Sequence, residues 1–225
     1  MIPTFVLAVV LGSLQATQTN TQPLVSSTGT SYLSCTTWTG KAWTDPTPRS
    51  AQTPVIESPK GFRAYAEVKV VVEGGSCENT TTLYVASKAN QRFKTVYKAT
   101  KGGNGIRLIG WAPDGTKLLA EINLWEYNTD RGYAHVAVLY DASADSAREI
   151  PELAQALLQH FGSDCEFEHA LQAWGNSEQV LIKVSKSAED DSYEQHICVQ
   201  HSQIYVFDLQ NKTLHLYQGQ RPITN

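Results

Sequence analysis

The sequence predicts an all-β fold: an incomplete β-propeller-like array of about three antiparallel blades with one short helix inserted, or, as the alternative, a β-sandwich. Three observations predict it. A weak internal repeat starts at Ser58 (SPKGFRAYAEV), Ala112 (APDGTKLLAEI) and Trp174 (WGNSEQVLIKV), and each copy is a turn followed by an alternating strand. The alternation keeps one phase, with Ala64, Ala66 and Val68, then Leu118, Ala120 and Ile122, then Val180, Ile182 and Val184 on the apolar side; a slip of one residue would reverse every side chain. A second strand and turn follow each copy, in TLYVASKANQRFKTVY, HVAVLYDASADSAREI and QIYVFDLQNKTLHLY, and these read as hairpins.

From the N-terminus, the apolar run Ile2 to Leu14 is too short to span a bilayer and long enough for a signal-peptide core, with cleavage after Ala16. Residues 1–16 are therefore expected to be a signal peptide and the protein secreted or periplasmic, with no transmembrane segment in the mature chain. Residues 17–57 are uncharged until Lys41 and rich in Ser, Thr and Pro, which predicts a loose leader and covering segment, with a strand or hairpin around Cys35. The β-repeat domain spans 58–217, in modules of about 58–105, 106–150 and 163–217, and a tail of 218–225 follows. In the first module Phe62, Ala64, Ala66, Val68, Val70 and Val72 oppose Arg63, Tyr65, Glu67, Lys69 and Glu73, a half-buried strand. In the second, Leu119, Glu121, Asn123 and Trp125 lie opposite the apolar face. Between the second and third, PELAQALLQHF (Pro151 to Phe161) places Leu153, Leu157, Leu158 and Phe161 on one face of a short helix, a stripe expected to pack on the chain's own core.

The 225 residues suffice for one compact domain. A formal net charge of -4 and the lack of a local Lys/Arg cluster exclude nucleic acid as an expected partner. Four widely spaced cysteines, Cys35, Cys77, Cys165 and Cys198, suit disulfides in an oxidising compartment. Cys77 precedes Tyr84 by the same interval as Cys198 precedes Tyr205, so the two are equivalent, and equivalent partners give Cys35–Cys77 and Cys165–Cys198.

The stretch WAPDGTKLLAEI, Trp111 to Ile122, resembles the strand–turn–strand core of TolB-like (WD40-like) β-propeller repeats, with Ala112 where that family has Ser. Pro113 presets the turn, Asp114 can bond back to the backbone, Gly115 takes the positive φ and Trp111 packs beneath. The outer copies depart from the pattern: Ser58-Pro59-Lys60-Gly61 lacks the Trp and the Asp, and Trp174-Gly175-Asn176-Ser177 lacks the Pro. The resemblance implies scaffold, lid or binding roles and carries over no catalytic residue. Three blades fall short of the four to eight that close a ring. A partial fourth blade from the N-terminal segment, a homodimer with a ring of six, or a stacked sandwich would each cover the open edges.

No G-x-S-x-G elbow is present, and the histidines at 135, 160, 169, 196, 201 and 215 form no H-E-x-x-H or other recognised metal spacing, so they read as surface or sheet residues. No catalytic residue, metal ligand or cofactor is assigned. The run AEDDSYE, Ala188 to Glu194, reads as a solvated hairpin tip. Trp111 and Trp174 hold equivalent, structural positions before a turn, which leaves Trp125 and Tyr127 as candidate ligand contacts. Asn79-Thr80-Thr81 and Asn211-Lys212-Thr213 fit glycosylation acceptors. The expected function is a secreted or periplasmic, non-catalytic binding or scaffold protein, its partner a protein or a small ligand. An exported hydrolase or an accessory domain of one is the alternative, and a structural envelope protein pairing through sheet edges is a third reading.

Overall fold

The computed structural model describes residues 29–33, 35, 41–42, 49–73, 76–87, 91–99, 103–124, 134–186 and 198–219. Three short strands come first, β1 (Gly29–Tyr32), β2 (Arg49–Gln52) and β3 (Ile56–Glu57). The first repeat copy forms β4 (Arg63–Glu73), β5 (Ser76–Ala86) and β6 (Lys94–Ala99). The second forms β7 (Gly103–Trp111), β8 (Lys117–Leu124), β9 (Ala134–Asp141) and β10 (Ser146–Glu149). After helix α1 (Pro151–Phe161) the third forms β11 (Phe167–Asn176), β12 (Gln179–Lys186), β13 (Gln203–Asp208) and β14 (Thr213–Leu216). The fold is all-β with three antiparallel sheets: sheet 1 is ordered β2-β4-β5-β6 with β3 also on β4, sheet 2 β1-β7-β8-β9-β10, and sheet 3 β11-β12-β13-β14.

The leader segment, expected to be loose, supplies the edge strands. β1 pairs with β7 from Gly29↔Leu108 to Tyr32↔Gly105, and β2 and β3 pair with β4. The physical reason is the row of unpaired N–H and C=O groups that the leading strand of each module would otherwise expose.

Sheet 2 lies between the other two. Ala64, Ala66, Val68, Leu83 and Val85 of sheet 1 share one core with Leu108, Leu118, Ala120, Ile122, Val138 and Tyr140 of sheet 2. The opposite face of sheet 2, with Ile109, Leu119, Ala137 and Leu139, shares a second core with Leu171, Val180, Ile182, Tyr205 and Phe207 of sheet 3. Every residue from Leu118 to Ile122 is buried. The second copy is thus covered on both faces, unlike the half-buried first, because a neighbour occupies each side.

Register supports the repeat more strongly than residue identity does. Trp111 pairs with Leu118 and Trp174 with Val180, and matching irregularities fall between Leu108 and Gly110 and between Leu171 and Ala173. The turns Ser58–Gly61 and Ala112–Gly115 close with the same glycine N–H to carbonyl bond, at 2.9 and 2.8 Å. The hairpin tips agree as well. Asp141 and Asp208 each accept from the amide two residues on, and Asp145 and Lys212 occupy the same positive-φ position. The third copy's turn is shorter: β11 runs on to Asn176, which pairs directly with Gln179.

α1 begins with Pro at its N-terminus and buries Leu153, Ala156 and Leu157 in the second core. Leu158, expected on the apolar face, is 49% exposed; one residue beyond Leu157 it is turned about 100° away from the stripe. Among the described residues, no helix is long and apolar enough to cross a membrane.

Candidate functional site

Two places concentrate chemistry. The first is the outer face of sheet 1. Alternation along β4 turns Arg63, Tyr65, Glu67 and Lys69 away from the core, and the register sets Tyr65 opposite Tyr84 and Glu67 opposite Thr82. Tyr65 and Tyr84 stack with ring centres 4.7 Å apart and planes at 12°, while Phe93 meets Tyr65 edge-on at 4.8 Å. The Arg63 guanidinium lies 5.0 Å over the Phe93 ring. Glu67, 8% exposed although on an outer face, accepts from Gln52 and from the Tyr84 hydroxyl, both at 3.3 Å, and pairs with Lys69 at 3.0 Å. Its hydrogen bond pushes the Lys69 ammonium above its ordinary pKa. Burial first, then Tyr84 and Glu67, raise the Tyr65 phenol. A guanidinium, three rings and a partnered carboxylate thus stand pre-ordered on one sheet.

The second place is the seam between sheets 2 and 3. Arg107 and Glu121 are cross-strand neighbours on β7 and β8. Arg107 donates to Glu121 Oε2 at 2.5 Å and to the Leu171 carbonyl at 2.6 Å, and the Leu171 N–H donates to Glu121 Oε1 at 2.9 Å. The ion pair therefore satisfies both backbone groups of one β11 residue, as a neighbouring strand would. Trp174 extends the seam by donating to the Gly110 carbonyl at 2.8 Å. Two residues beyond Glu121, Asn123 lies opposite His135, and the His135 and His169 rings meet across the sheets at 6.1 Å. Burial holds the His169 imidazole below its ordinary pKa, with Glu121 opposing and His135 adding to the shift. From His169 the rings continue through Phe167 at 6.3 Å and Phe161 at 5.0 Å to Tyr205 and His160.

Of the residues singled out in the sequence, Trp125 and Tyr127 lie outside the described residues, as do Ala188 to Glu194 and His196. A disulfide joins Cys165, just ahead of β11, to Cys198, with Cα atoms 5.6 Å apart. Cys35 is buried and also disulfide-bonded, while the Cys77 side chain lies outside what is described. Trp111 packs against Phe62 and Tyr140, so both pre-turn tryptophans are structural. His135, His160, His201 and His215 are exposed, as expected for surface histidines, and His169 is partly covered. The acceptor sequence at Asn79 is closed in the folded chain: Asn79 is 4% exposed and donates to the Leu33 carbonyl at 2.8 Å. Asn211 stands exposed at a hairpin tip. Sequence reasoning placed Tyr65 and Glu67 on the outward face but missed their meeting with Tyr84 and Phe93; the β4/β5 hairpin pattern was the only signal for it.

No protein-family model matches the chain, and no curated protein is significantly similar to it. Among solved structures it is similar to the acylaminoacyl peptidase of Pyrococcus horikoshii, with 15% identity and a TM-score of 0.42. The match covers 74% of this chain and 24% of that one, so the chain spans about a quarter of the length of that structure.

Proposed function

We propose that the chain is an exported, non-catalytic binding or scaffold protein, built on blades that resemble TolB-like repeats, and that it presents the outer face of sheet 1 to its ligand. The observation that carries this reading is the array Arg63–Phe93–Tyr65–Tyr84–Glu67, whose members hold one another in place. Tyr and Arg are enriched among the residues that dominate binding energetics and Phe among those at interfaces, and side chains already ordered lose little entropy when a ligand arrives. Export is supported by the apolar N-terminal run and by a disulfide.

The test is a thermal-shift panel of soluble glycans and peptides on wild type and on Y65A and Y84A, with a chromogenic ester, peptide and glycoside panel run beside it. A compound that raises the melting temperature of wild type and of neither variant supports the reading. Turnover of any chromogenic substrate would replace it with a hydrolase. N-terminal sequencing of the exported product is expected to begin at Thr17.

A further inference from the structure

We infer that His135, His169 and the amide oxygen of Asn123 form a binding site for a divalent transition-metal ion, Zn²⁺ or Cu²⁺, bridging sheets 2 and 3. Three observations on the described residues carry it. Asn123 and His135 are directly opposed on β8 and β9, on the face that looks towards β11. The His135 and His169 rings meet edge-on from different sheets at 6.1 Å between centres, with planes at 72°. Two imidazole nitrogens on one ion, each about 2.0–2.1 Å from it, place the ring centres roughly 5–6 Å apart, close to the observed separation, and the exposed His135 ring has room to turn its nitrogen towards a shared ion. Asn123 Oδ1 is buried without a hydrogen-bond partner, which is costly unless something arrives to use its lone pairs.

The surroundings suit a cation of that class. The carboxylate of Glu121, one pleat along β8, is already occupied by Arg107 and the Leu171 N–H, so it is not available as a ligand. His169 is partly covered on β11, so its position is fixed by the strand while the exposed His135 is free to adjust to it. No group of three His, Cys, Asp or Glu side chains able to hold a metal occurs among the described residues. The set proposed here is two imidazoles and one amide, which leaves coordination positions open and favours nitrogen-seeking ions over Ca²⁺ or Mg²⁺.

The experiment uses the full, untagged, oxidised chain at pH 7.5 and titrates ZnCl₂ calorimetrically into wild type, H135A, H169A, N123L and H215A. His215 serves as the control because it pairs with Val206 on the opposite face of sheet 3. Wild type is expected to bind one ion, H135A and H169A to bind roughly ten-fold more weakly or worse, and H215A to match wild type. Cu²⁺ electron paramagnetic resonance is expected to show two nitrogen donors in wild type and one in H135A. Zn²⁺ is expected to raise the melting temperature of wild type but not of H169A, whose unliganded melt by circular dichroism checks that it folds. Saturation that persists unchanged in H135A, or the absence of binding to folded wild type at millimolar Zn²⁺, would overturn the assignment.

Discussion

Gly61 and Gly115 hold equivalent places in two turns and have φ of 80° and 70°, yet their surroundings differ. A Cβ on Gly61 would meet nothing within 4 Å, whereas one on Gly115 would come to 3.0 Å from the Lys60 backbone nitrogen and 3.2 Å from Pro59. The two turns pack on each other, and Gly115 is the point of contact. G61A is therefore expected to lose only the left-handed penalty, about 1 kcal/mol, and G115A clearly more, measured from urea midpoints. Trp111 and Trp174 show a similar divergence. Trp174 Nε1 donates to Gly110 O, while Trp111 Nε1 is buried without a partner among the described residues. W174F should cost about 1–2 kcal/mol more than W111F, because only the first strands a carbonyl.

Among the elements, β11 depends on side chains of its neighbouring sheet. The buried Glu121 accepts the Leu171 N–H while being held by Arg107, so E121A leaves that N–H without an acceptor and the Arg107 cation without its carboxylate. Hydrogen exchange at the Leu171 amide is expected to accelerate well beyond that of the β12 amides, and the double variant R107M/E121M should be less destabilised than the two single changes summed. The hairpin tips carry the acid sensitivity. The Asn211 amide holds the Asp208 carboxyl below its usual range, against slight burial and with help from Gln210. Lys94 and then Tyr140 do the same for Asp145. Burial would raise Asp141, but the Ser143 hydroxyl and amide outweigh it and leave it lowered. Groups whose folded pKa lies below the unfolded value contribute stability that is complete above about pH 5 and is lost as pH falls through the unfolded and then the folded pKa. Urea midpoints should drop between pH 5 and pH 3, and the drop should be smaller in D208N.

For the whole molecule, the question left by three blades is what covers their edges. β1 closes β7 and β2 with β3 closes β4, so the described chain shields its own leading strands in sheets 1 and 2. We expect a monomer by size-exclusion chromatography with light scattering; a dimer would restore the six-blade ring. The Cys165–Cys198 bridge ties the approach to β11 to the approach to β13. Replacing both with alanine should cost about 2–4 kcal/mol, read from denaturation without reductant. Peptide mapping under non-reducing conditions is expected to find Cys35 joined to Cys77, and a different partner for Cys35 would remove the pairing rule drawn from the repeat.

Much of the fold was legible because its determinants are local. The period-2 run of Ala64, Ala66 and Val68, the Pro-Asp-Gly turn at 113–115 and the stripe of α1 each depend on residues within a few positions of one another. Even the disulfide Cys165–Cys198 followed from a spacing shared by two copies. What only the tertiary structure decided are the meetings of residues remote in sequence: Tyr84 and Phe93 on Tyr65, His135 against His169, Arg107 and Glu121 on the Leu171 backbone, and the use of leader strands as edges. The sequence alone determined that strands of known phase would form and where they would turn. Which strand pairs with which, and which faces press together, are settled by burial of the whole surface at once, and no single stretch of the chain encodes that sum.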